Sequence, residues 1–162
     1  MAELESILCF LDDLFRPSDF PDYTDALNGL QVSGPPEVAL VGAAVDASEV
    51  TLRNARERGI DLLLVHHGLF WGGAMPLTGA RFRKVEALVR GDMGLYSMHL
   101  PLDAHPELGN CVLLGRALGL EPRGRFGSYQ GVTVGGWAEA GLSRQELAER
   151  LGRAVGGEVR LV

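Results

Sequence analysis

The chain predicts an α/β fold, a mostly parallel sheet flanked by helices. Two observations predict it. Ala39 to Val45, Leu62 to Val65 and Leu95 to Met98 are short, unbroken apolar runs, the pattern of strands covered on both faces. Between them lie stretches of helical periodicity closed by glycine and joined by short loops. At 162 residues the chain has the size of a single domain and can bury a substantial core.

Each element has its own signal. Leu4, Ile7, Leu8, Leu11, Leu14 and Phe15 recur at helical spacing, so an amphipathic first helix is expected, ending before Pro17. Pro17 to Pro36 is rich in proline, aspartate, glycine and serine and reads as loop, with a turn at Asn28-Gly29 and a short strand at Leu30 to Val32. Ala39 to Val45 is the first buried strand. Asp46 is expected to cap the helix after it, with Glu49 as capping-box partner and Gly59 as its stop. The strand Leu62 to Val65 leads into a glycine-rich loop, Gly68 to Gly79, and a helix carrying Phe82, Val85, Leu88 and Val89 that ends at Gly91. Leu95 to Met98 is the third strand, followed by a helix from Asn110 to Leu118 stopped by Gly119. Val132 to Trp137 reads as a fourth strand, and Ser143 with Glu146 opens a helix through Val155. Glu158 to Val162 reads as the start of a further, central strand, which predicts a sheet completed by residues outside this sequence.

Bulk properties exclude some functions. The formal net charge of −6 disfavours a nucleic-acid partner, because such binding rests on clustered cations. Met1 to Glu5 is acidic where a secretory leader would be basic, and no long apolar span follows, so a cytoplasmic protein is expected. Cys9 and Cys111 both fall in apolar helical patterns and read as small buried thiols, not as a disulfide framework.

The chemistry lies with the histidines. All four fall between His66 and His105, in two segments that each directly follow a strand. Strand exits are where open α/β sheets place their ligand sites. Neighbours on a strand point to opposite faces, so His66 and His67 can converge only where the strand gives way at Gly68. One reading makes them metal ligands; the other makes one a backbone-bonded strand end and its neighbour a surface residue. His99 and Asp103 follow the next strand, and Pro101 is expected to keep their connection extended. Histidine with carboxylate suits zinc, iron or manganese, while aspartate also serves turns and caps. His105, before Pro106, reads as a capping or surface residue. Further ligands would have to be carboxylates such as Glu107 or Glu158, or lie beyond Val162. Phe70 and Trp71 can wall a ring-shaped substrate or simply pack. Arg81, Arg83 and Lys84 open a helix, where cations oppose the macrodipole; they hint at an anion or are merely solvated.

Three stretches resemble a known family: Asn28-Gly29-Leu30-Gln31-Val32, Val65-His66-His67-Gly68-Leu69-Phe70-Trp71, and the block from His99 to Asn110. They are similar to the Nif-three-like proteins, dinuclear-metal hexameric proteins often labelled GTP cyclohydrolase 1 type 2 homologues, in their short bacterial form. The resemblance covers nearly the whole chain. It implies a Nif-three-like α/β fold of two similar halves, with 1–162 as one domain lacking its C-terminal part and the second half beginning at about residue 125. It implies a toroidal homohexamer with two divalent ions per complete subunit facing an internal cavity. It assigns His66, His67 and Asp103 as metal ligands and His99 as a residue beside the metals that transfers protons. Family members supply a further histidine and glutamate from the part that this sequence does not include.

Two functions follow as expectations. One is a metal-dependent hydrolase in which activated water attacks a nucleotide-like or other small heterocyclic substrate, with His99 moving the proton and the helix-opening cations meeting a phosphate. Nothing in these residues selects guanine. The other is a non-catalytic metal-binding scaffold or regulatory protein assembled as a hexamer. A small-molecule substrate and self-association are the expected partners, without a membrane.

Overall fold

The computed structural model describes the chain apart from residues 24, 72, 74 and 162. It forms two compact units, Met1–Pro101 and Leu102–Val162. In the first unit a strand β1 (Ala2–Glu3) leads into helix α1 (Leu4–Phe15), then β2 (Gly29–Val32), β3 (Glu37–Val38), β4 (Val41–Asp46), α2 (Glu49–Glu57), β5 (Leu62–His67), α3 (Gly79–Arg90) and β6 (Gly94–Ser97). A short helix α4 (Leu100–Asp103) spans the division between the units. The second unit holds α5 (Asn110–Ala117), the hairpin β7 (Gly124–Tyr129) and β8 (Val132–Trp137), and α6 (Arg144–Val155).

The main sheet has the order β2-β6-β5-β4. The pairs β4–β5 and β5–β6 are parallel, and β2 joins antiparallel at the edge, so the sheet is mixed with a parallel centre. The apolar runs explain that centre. Leu63, Val65 and Leu95 are buried, and with Leu52 of α2 and Leu88 of α3 they form the core on one face of the sheet, while Leu62, also buried, faces the other side. On the other side, buried Tyr96 donates its hydroxyl hydrogen to Asp12 Oδ1 at 2.7 Å and so ties β6 to α1. Burial and that bond to a carboxylate both push the phenol's ionisation up.

Several sequence expectations are corrected. Ser48, not Asp46, caps α2: its hydroxyl accepts from the Thr51 amide at 3.1 Å, while β4 runs on to include Asp46. Pro101 does not keep its segment extended; it sits in the first turn of α4, where a missing N–H costs nothing. Cys9 is exposed on α1. Gly124–Tyr129, unsuspected because its alternation is weak, pairs with β8. Residues 158–161 form no strand, since no described strand offers them a ladder, and Val162 lies outside the described residues. Residues 72 and 74 of the expected glycine-rich loop also lie outside them. The Ser143–Glu146 capping box forms as expected. No described helix is long and apolar enough to cross a membrane.

Gly34 marks a close approach of backbones at the base of the sheet. A Cβ there would lie 2.5 Å from the Gly94 amide nitrogen and 2.9 Å from the Asp61 carbonyl oxygen, neither of which can swing away. Gly34→Ala is therefore expected to destabilise the first unit by about 1–3 kcal/mol, as overpacking does. Urea unfolding of the substituted chain, with an unchanged slope and a lower midpoint, is the check.

Candidate metal centre

Parallel pairing sets the site. Asp46 at the end of β4 lies directly across from His67 at the end of β5, and β6 ends beside them at Ser97, two residues before His99. Three strand ends therefore deliver polar side chains to one edge of the sheet. His66, His67 and His99 each place a ring nitrogen there, all within 4.8 Å of one another. Ring centroids are 4.5 Å apart for His66–His67, 4.8 Å for His66–His99 and 5.5 Å for His67–His99. Both members of the His66-His67 pair lie within β5, not past its end, and still meet.

Each ring is held by Nδ1. His66 Nδ1 is 3.0 Å from the Met98 carbonyl oxygen, His67 Nδ1 is 2.6 Å from Asp46 Oδ1, and His99 Nδ1 is 2.8 Å from Asp22 Oδ1. A carbonyl and two carboxylates can only accept, so in neutral rings the proton sits on each Nδ1 and the lone pair on each Nε2. This is the arrangement in which outer partners fix a metal-binding histidine's tautomer and orientation.

Asp22 organises one side. Its side chain is only 4% exposed. Burial pushes its carboxyl up, but hydrogen bonds from Asn28, His99, Leu100 and Tyr23 outweigh that and hold it below the usual carboxylate range. Asn28 Nδ2 donates to Asp22 Oδ2 at 2.8 Å, and Asn28 Oδ1 accepts from the His99 amide at 2.7 Å. Gly29 follows with φ of +98°, a backbone geometry suited to glycine. Gln31 then accepts from the Leu69 amide at 2.8 Å, just past the histidine pair. The stretch from Asn28 to Gln31, read from sequence as a turn and strand, thus clamps both histidine segments.

Trp71 closes the cluster. Its ring stands edge-on to His99 at 4.7 Å and to His67 at 5.7 Å, and Tyr23 packs against His99 at 5.8 Å.

Of the residues singled out from sequence, the structure brings together His66, His67 and His99. Asp103 belongs to the second unit, where its carboxylate accepts from Asn110 Nδ2 at 2.7 Å. His105 accepts through Nδ1 from the Glu107 and Leu108 amides at 3.2 and 3.1 Å, a capping role and the opposite use of Nδ1. Asp22 carries no local signal that separates it from other loop aspartates, and Asp46 carries only that of a helix cap, so neither is identified from sequence as a partner of the histidines. The three histidines form a group that could hold a metal ion. Two ligands on one ion at about 2.1 Å each stand at most about 4.2 Å apart, close to the 4.8 Å bound seen here.

The profile of the Duf34/NIF3 (NGG1p interacting factor 3) family matches residues 2–162. The chain is 41% identical over 160 residues to a "GTP cyclohydrolase 1 type 2 homolog" of Deinococcus radiodurans, covering 98% of this chain and 60% of that protein. An Archaeoglobus fulgidus protein of the same name is 44% identical over 154 residues, covering 94% and 62%. A crystal structure of a Thermus thermophilus protein superposes with a TM-score of 0.84 at 42% identity, covering 97% of this chain and 63% of that one. The chain thus spans about three fifths of the length of these relatives.

Because Asp46 is exposed, it can be removed without opening the core. Asp46→Ala is expected to shift stability by less than about 0.5 kcal/mol and to release His67 into a mixture of tautomers, read from imidazole nitrogen-15 shifts. His66 should keep its Nδ1–H form in the same spectrum.

Proposed function

The chain belongs to the Duf34/NIF3 family, and from that premise we propose that it supplies part of a divalent-metal centre in a metal-dependent hydrolase for a nucleotide-like or other small heterocyclic substrate. The observation that supports this reading is the cluster of three imidazoles, every Nδ1 engaged by an acceptor. The name that its relatives carry favours a heterocycle as substrate. Because the chain spans only about three fifths of those relatives, the activity proposed is that of the whole protein.

In this reading His66 and His67 bind metal through Nε2, with Asp103 as carboxylate ligand and two ions per complete subunit. Zinc, iron and manganese all accept such a set. A bound divalent ion would supply a Lewis acid and a water acidified towards neutral pH. His99 moves the proton at Nε2. Asp22, bonded to its Nδ1, keeps that nitrogen protonated and stabilises the imidazolium that forms. Trp71, edge-on to two of the rings, limits the entry of bulk water. A cytoplasmic homohexamer completes the proposal.

Elemental analysis with activity assays tests it. His66→Ala and His67→Ala are expected to lose bound metal, with affinity falling at least about tenfold. His99→Gln should keep the metal and lose about a hundredfold or more in hydrolysis. Metal content unchanged in the His66→Ala, His67→Ala double variant would overturn the assignment. Metal retained with no hydrolysis by the unsubstituted protein, its assembly intact, would favour the non-catalytic scaffold instead.

A further inference from the structure

Beside His67 lies a cavity of about 450 Å³ whose lining includes Asp46, Ser48, His67, Trp71, Arg81 and Lys84. Its size falls within the range of small-molecule sites and exceeds what one bound ion needs. The three cations that open α3 divide their roles here. Arg83 is neutralised, its Nε 2.8 Å from Glu49 Oε1. Arg81 and Lys84 face the cavity, and among the described residues neither makes an ion pair. Among the described residues Arg81 reaches the Trp71 and Gly73 carbonyls, at 3.4 and 3.5 Å, the outer limit of a hydrogen bond. Arg81 sits in the first turn of α3, where the macrodipole opposes a cation, so the helix does not favour its placement.

We propose that this cavity is a phosphate subsite, in which Arg81 and Lys84 hold the phosphate of a small-molecule substrate whose reacting part lies at the histidine cluster. The link to the cluster rests on the proposed metal-centre function; the phosphate site itself does not. An arginine fork matches phosphate oxygens two at a time, and a lysine adds a mobile point charge. The helix starts reinforce this pair. Ala47 and Ser48 before α2 and Ala80 in α3 all line the cavity, and Thr78, at the N-cap of α3, makes no side-chain cap to its amides. The carboxylate in the lining, Asp46, is engaged with His67 Nδ1 at 2.6 Å. Two cations therefore face one carboxylate already bound to an imidazole.

Calorimetric titration of chelator-treated protein with inorganic phosphate tests the subsite. Arg81→Gln and Lys84→Gln should each weaken binding at least about tenfold, while Arg83→Gln, on the neutralised cation, should leave it within about twofold. Arg81→Lys should restore part of the loss, and Lys84→Gln, at a residue without an ion pair, guards against a folding artefact. No detectable binding by the unsubstituted protein, or binding unchanged in the Arg81→Gln, Lys84→Gln double variant, overturns the proposal. Binding that needs added divalent metal, vanishes in His66→Ala and ignores Arg81 and Lys84 also overturns it, while leaving the metal-centre reading standing. Phosphate binding that depends on Arg81 and Lys84, together with metal content unchanged in the His66→Ala, His67→Ala double variant, supports the subsite and removes the metal-centre reading.

Discussion

An imidazole on a flexible stem turns about two bonds and trades its proton between two nitrogens, whereas a metal site needs one orientation and one tautomer. In this protein each of three rings has both decided by a partner that can only accept: the Met98 carbonyl for His66, Asp46 for His67 and Asp22 for His99. The rest of the first unit is arranged to bring those partners into place. Central strand β5 positions His66 and His67, and its parallel neighbour β4 at the sheet edge delivers Asp46 across from the second of them. The loop before β2 delivers Asp22 and Asn28 to His99.

Asp22 shows what that arrangement costs and how the cost is offset. A carboxylate with 4% of its side chain exposed loses most of its hydration. Four donors replace the lost water: two backbone amides, the Asn28 amide and the His99 ring. The same bonds pin the loop to the start of α4, so the loop's order and the ring's orientation are one interaction network.

Parallel topology supplies the setting. When β4, β5 and β6 run the same way, their C-terminal ends and the N-termini of the helices that follow gather on one side of the sheet. His67 from the end of β5 and the cations Arg81 and Lys84 from α3 then border a shared cavity, close in space although they come from separate segments. Aromatic rings at Tyr23 and Trp71 cover the imidazoles from the loop side.

Strong local patterns were legible in the sequence. The apolar runs of β5 and β6, the helix from Leu4 to Phe15 and the Ser143–Glu146 capping box all appear where the residues place them. Asp46 was misjudged because an aspartate before a helix is locally a cap; a long-range bond to His67, 21 residues away, overrides that role. Residues 158–161 were misjudged because a strand depends on a neighbour, which no local pattern contains. The sequence by itself determined that two histidine segments follow apolar strands, which made their imidazoles candidate ligands. Only the tertiary structure decided which nitrogen of each ring meets an acceptor and which cations form an ion pair. Those outcomes hang on contacts such as Asp22 with His99, 77 residues apart, and such contacts exist only once the chain has folded.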